Sequence, residues 1–122
     1  MTTKAIHNDI EAFIALKPIN FRFLKSLCLK REIGKNACGR YDIEIIATSF
    51  TEDKTLCLRL FCTSAFGINL NDIEGGFGGL WIDIQDIQSH QIEGAKYKIF
   101  DCEHDELFSF YCKSFTAELI EQ

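Results

Sequence analysis

From Phe21 onward, apolar and polar residues alternate with the period of two that belongs to half-buried β-strands. Tyr41, Ile43, Ile45 and Ala47 fall on one side of such a strand, and Asp42, Glu44 and Thr48 on the other. Leu56, Leu58, Leu60 and Cys62 answer from the next strand, after the polar connection Thr51-Glu52-Asp53-Lys54. This predicts a hairpin in which Arg59 stands across from Asp42 or Glu44. Phe21, Phe23, Leu27 and Leu29 predict an earlier strand with an irregularity near Leu24 and Lys25. Ser64 to Gly79 reads as a long connection in which only Ile68-Asn69-Leu70 has the character to join a sheet.

The stretch from Gly75 to Ile87 organises the second half. Its glycines release the chain into a strand whose residues Leu80, Ile82 and Ile84 suit a core, leaving Trp81, Asp83 and Gln85 on the opposite face. Four glycines raise the possibility of a phosphate cradle, but such loops open a helix, and here a strand follows. A turn or bulge is the expectation. Tyr97 and Ile99 then alternate with Lys96 and Lys98, and Phe108, Phe110 and Cys112 form the next apolar face. Phe115, Ala117 and Leu119 resume on the other parity, which predicts a bulge or bend near Lys113.

Only Asn8 to Lys17 has helical spacing, with Ile10, Phe13 and Ile14 on one side, Asn8 and Glu11 as a capping pair, and Pro18 as the stop. The predicted fold is therefore mainly β (α+β). An antiparallel twisted sheet of about six to eight strands closes into a half-barrel or sandwich, with one N-terminal helix packed on it. Residues 1–122 form a single domain in this reading.

Composition adds limits. Charged residues are 25% and apolar ones 47%, values of a globular chain. No run approaches the ~18 apolar residues of a membrane-spanning helix, and no signal peptide is evident, so the expectation is a cytoplasmic protein with no membrane association. The six cysteines are then expected to be free thiols, mostly buried, and no Cys-x-x-Cys is present. The net charge of -5 divides unevenly: residues 1–70 carry ten Lys/Arg against seven Asp/Glu, and residues 71–122 three against eleven. Arg22, Lys25, Lys30, Arg31, Lys35 and Arg40 concentrate positive charge, but aromatics do not interleave with them, which argues against direct nucleic-acid binding. An acidic second half favours encounter with a basic partner.

Candidate chemistry is sparse. Asp101, Glu103 and Asp105 imitate the start of a calcium loop, but Glu106 stands where glycine is required and Cys112 where glutamate is required. Cys102, His104 and Cys112 match no zinc spacing. His7, His90 and His104 follow no motif that pairs them with a nucleophile, so no catalytic residue, metal or cofactor is assigned and no enzymatic activity is expected. Trp81 is of a different kind: an outward tryptophan beside Asp83 has the composition of an interface anchor.

The second half can be written Leu80-x-Ile82-x-Ile84-x-Asp86-Ile87-x-x-x-Gln91-x-Glu93-Gly94-x-x-Tyr97-x-x-x-Asp101-x-Glu103, ending in Phe108-x-Phe110-Tyr111-Cys112. It resembles the ending of small single-domain bacterial immunity proteins of polymorphic toxin systems, of the contact-dependent inhibition and Rhs kinds. The resemblance implies a non-catalytic cytosolic inhibitor that binds one toxin domain and covers its active site; such toxins are often nucleases with basic clefts. In that reading Trp81, Asp83 and Asp86, with Glu103, Asp105 and Glu106 in a neighbouring turn, contact the basic toxin domain. The competing expectation is a small β-barrel holding an apolar or nucleotide-like ligand among Phe21, Phe23, Phe108 and Phe110.

Overall fold

The structure is a computed structural model that describes residues 4–34, 39–49, 56–71, 73–74, 79–103 and 107–121. Eight strands are joined by antiparallel pairing throughout: β1 (Ile6–His7), β2 (Phe23–Lys30), β3 (Tyr41–Thr48), β4 (Leu56–Leu70), β5 (Ile82–Asp86), β6 (Tyr97–Asp101), β7 (Phe108–Cys112) and β8 (Ser114–Glu121). The order β1-β8-β4-β7-β6-β5 forms one path, and β3 branches from β4 to carry β2. The sheet curls into a half-barrel with one short helix, α1 (Ile10–Ala15), near the N-terminus, as the alternation predicts.

β4 is the hinge of this architecture. Its first half lies between β3 and β8, and its second half pairs with β7. The strand runs through 15 residues, well into the segment that its sequence marks as a connection. Ser64 and Gly67 adopt left-handed φ values of 54° and 62°, and the β4–β7 register shifts between Phe66 and Asn69. Each irregularity resets the inside–outside alternation, so the strand persists while its periodicity disappears. Elsewhere the expected irregularities are present: β2 and β3 slip between Leu24 and Ser26, and Lys113 separates β7 from β8.

The concave side holds the core. Ile43, Ile45, Leu58, Leu60, Ile82, Ile99, Phe108 and Phe110 point into it, and Phe13 from α1 closes it with 0% exposure. Phe115 joins helix and sheet, meeting Phe13 edge-on at 6.2 Å and Tyr97 at 5.0 Å.

The helix is shorter than its spacing predicts, and its cap is Asp9, which accepts the Ala12 N–H at 3.0 Å. Asn8 has a different role. At φ 53° its side chain accepts the Phe115 N–H at 2.8 Å and its backbone N–H donates to the Phe115 carbonyl at 3.0 Å, so it pins the chain to β8. Ile14 is 56% exposed, so the apolar stripe buries Phe13 and partly buries Ile10 while Ile14 stays outside.

Candidate functional site

The convex side of the β4–β7–β6–β5 sheet is built by the same alternation that builds the core. Leu80, Ile82 and Ile84 are buried, and Trp81 and Asp83 are half-buried on the other side, as the sequence predicts. Register places Asp83 opposite Phe100 and Phe100 opposite Ser109. A second row runs Gln85, Lys98, Tyr111, Phe66. Directly paired residues share a face, so Trp81, Phe100, Tyr111 and Phe66 form an outward aromatic band, each of them half-buried. Phe66 and Tyr111 meet at 5.5 Å.

Trp81 is fixed by its backbone. Its N–H donates to the Asp101 Oδ1 at 3.0 Å, and its carbonyl accepts the Cys102 N–H at 2.9 Å. The same Asp101 carboxylate accepts the N–H groups of Glu103 at 3.2 Å and Leu107 at 3.3 Å, while only 1% of the residue is exposed. Three backbone donors converge on one buried carboxylate, which welds the turn after β6 to the entry of β5. Asp101 is thus a structural clamp buried among backbone donors.

The other residues expected at the interface have distinct placements. Asp83 lies beside Phe100 and accepts its neighbour's Ile84 N–H at 2.8 Å. Glu103 pairs with Arg22 at 3.6 Å, and Arg22 also donates to the Gly79 carbonyl at 3.4 Å. Asp86 stands at the far end of β5, where its two carboxylate oxygens accept the backbone and side-chain N–H groups of Gln88 at 2.9 and 3.2 Å. Asp86 is therefore not brought to Trp81. Asp105, Glu106, His104 and Gly75 to Gly78 lie outside the described residues.

Cations complete this face, and the sequence reading did not include them. The Arg40 guanidinium lies 4.0 Å from the Phe66 ring centroid and donates to the Gly94 carbonyl at 3.2 Å. Gly94, at φ +75°, leaves the guanidinium its space: a Cβ there would collide with Nη1. Lys98 lies 5.4 Å from the Phe100 centroid. The interrupted alternation after Ala65 hid Phe66, and with it the seat for Arg40.

On the convex side of the other half, Arg59 is held between Glu44 and Glu118, each within 2.8 Å, and this raises its pKa through both hydrogen bonds. The predicted Arg59–Glu44 pair is present, and Glu118 on β8 is an addition that only the fold supplies. Cys102 is exposed, whereas Cys112 is fully buried, so these two thiols do not face one site. Partial desolvation, followed by the charges of Asp83, Asp101 and Glu103, pushes the Cys102 thiol up and keeps it protonated near neutral pH. Phe21, Phe108 and Phe110 pack in the one core, and Phe21 and Phe23 also border an open cleft with Ile19 and Leu56. The cleft is lined by Phe21 and Phe23 but not by Phe108 or Phe110, so the four phenylalanines do not line one ligand space.

Residues 5–118 match the family model described as Immunity protein PIM8. The chain belongs to this family. No curated protein and no solved structure matches it. Membership carries an immunity-protein role and a toxin as the partner, and it bears out the resemblance seen in the second half of the sequence. The match spans both halves of the sheet, so the convex aromatic band and the Arg59 cluster both lie within the family's domain.

Proposed function

We propose that this immunity protein neutralises its toxin by occlusion, seating the convex face around Trp81 over the toxin's active region and performing no chemistry of its own. The observation that supports this is the fixed, half-exposed Trp81. Its backbone is held by bonds to Asp101 and Cys102, and its side chain has only two torsions to order on binding, which suits an interface anchor. Asp83 on the same face suits a basic surface, and a cytoplasmic nuclease with a cationic cleft is the toxin class that fits it.

The test is the double variant Trp81→Ala, Asp83→Lys against the cognate toxin domain. Loss of an anchor at the centre of an interface costs about 2 kcal/mol or more, roughly 30-fold in affinity, and protection of cells expressing the toxin is expected to fall with it. Unchanged affinity and unchanged protection would place the interface elsewhere on the molecule.

A further inference from the structure

We propose that the open edge of β2 takes up an extended segment of the toxin domain as an added strand, with apolar side chains at alternate positions and carboxylates where it passes Lys30 and Arg31. The inference goes beyond the Trp81 face and stands without it, needing only the toxin partner that family membership carries.

Three strands end the sheet: β1, β2 and β5. β1 has two residues, and β5 is blunted, because α1 packs against it and the Asp83 carboxylate accepts the Ile84 N–H at 2.8 Å. β2 is eight residues long and pairs, among the described residues, with β3 alone. From Ser26 to Lys30 its register with β3 is regular, and among the described residues no backbone bond beyond that ladder is made there. In an antiparallel pair every second residue turns its N–H and C=O away from its neighbour, so this stretch presents a row of donors and acceptors spaced for a strand. Beside the row lies an open groove of about 490 Å³, lined by Leu24, Leu27 and Leu29 of β2 together with Leu70 and Ile73. β2 is also the one strand longer than two residues with no buried residue, and Leu70 is 43% exposed. Backbone row and apolar groove together are what strand addition uses: the hydrogen bonds supply affinity, and places for alternate side chains supply selectivity.

Charge chooses the occupant. β2 carries Lys25 and Lys30 and no carboxylate, and Arg31 follows it. Glu74 is the one carboxylate lining the groove, so the cations of this edge outnumber it. Among the described residues neither Lys30 nor Arg31 is within ion-pair distance of a carboxylate. Arg31 lies 4.9 Å from the Tyr41 ring centroid, and Asp42, across from Lys30, accepts the Ser64 N–H. Two copies of β2 laid antiparallel set like charges together, whereas an acidic segment is attracted along the same edge. The edge also adjoins the Trp81 face, since the Leu80 N–H donates at 2.9 Å to the carbonyl of Arg22, one residue before β2 begins. One toxin domain can therefore cover Trp81 and extend a strand along β2.

The experiment measures amide hydrogen exchange across Ser26 to Lys30 in the full chain, alone and bound to the cognate toxin domain in an inactive form. The outward amides are expected to slow at least ~10-fold on binding, as their hydrogen bonds pass from water to the added strand. Cys28→Pro and Leu29→Pro test the same bonds by affinity. Neighbouring residues turn their N–H groups to opposite edges, so one of the two variants keeps the β3 ladder and a near-parental unfolding temperature. That variant is expected to bind the toxin at least ~10-fold more weakly. Lys30→Glu is expected to weaken binding at low salt and to do so less at high salt. Unchanged exchange at Ser26 to Lys30 in the complex, or parental affinity of the stable proline variant, would overturn the strand addition. So would protection that grows with the concentration of the free chain, because the occupant would then be a second copy. Slowed exchange at β2 alongside parental affinity of the Trp81→Ala, Asp83→Lys variant would remove the convex face and leave the β2 contact standing.

Discussion

At the scale of the residue, the position of Trp81 depends on Asp101. Replacing Asp101 with Ala strands three backbone N–H groups that now share its carboxylate. Hydrogen bonds to a charged acceptor contribute about 1.5–3 kcal/mol each, and their loss is partly offset by water entering the turn, so a net cost of roughly 3–5 kcal/mol is expected from urea unfolding. Asp101→Asn keeps the shape but turns an N–H2 toward one of the three donors, and roughly 1–3 kcal/mol follows. Trp81 is the chain's single tryptophan, so its emission reports the same event: both variants are expected to shift it toward the red as water reaches the ring. The inward position of Asp101 was legible from its parity with Tyr97 and Ile99. What hid it was its neighbours, because Glu103, Asp105 and Glu106 make the segment read as solvated, and the three amides that neutralise a buried carboxylate carry no side-chain signature.

At the scale of the element, β4 decides whether the two halves of the sheet share a strand. Gly67 has φ +62°, and a Cβ there would stand 2.9 Å from Cδ2 of Tyr111, whose ring belongs to the outward aromatic band. Gly67→Ala therefore combines left-handed strain of about 1–2 kcal/mol with a displaced tyrosine. The expected result is a fall in unfolding temperature of several degrees together with weaker toxin binding. A variant at a position touching only the fold would show the first without the second. Where alternation was unbroken, as in β3 and β5, the strand and its buried face could be read residue by residue. Ser64 and Gly67 explain why the second half of β4 could not: a bulge preserves hydrogen bonding in the sheet while it scrambles the sequence period. The helix cap failed for a related reason. Asn8 and Asp9 are equally good caps by residue type, and only the pairing of Asn8 with Phe115 selects Asp9.

At the scale of the whole molecule, the division of charge along the sequence does not become a division in space. Arginines of the first half reach across to the second: Arg22 to Glu103, Arg40 to the Gly94 carbonyl and Arg59 to Glu118. The strand order that brings them there places β4 between β3, β7 and β8, and no local pattern encodes it. The same closure sets the pH response. Burial, followed by hydrogen bonding to Cys112 and its charge, pushes the Cys62 thiol well above its ordinary value of 9.0. Burial, followed by the charges of Asp86 and Cys112, pushes the Tyr97 hydroxyl above 10.0. In both cases the native protein holds a proton that the unfolded chain gives up first. Their contribution to stability is thus complete below the ordinary values and is lost as pH rises from those values through the raised native ones. Urea midpoints are expected to hold steady from about pH 7 to about pH 8.5 and to fall beyond, with little change in slope. Cys62→Val removes one titrating group at nearly constant volume, so it is expected to reduce the first part of that fall, which the raised Cys102 thiol shares, while Tyr97 preserves the later part. An alkaline profile identical to that of the parent chain would mean that Cys62 does not contribute to it.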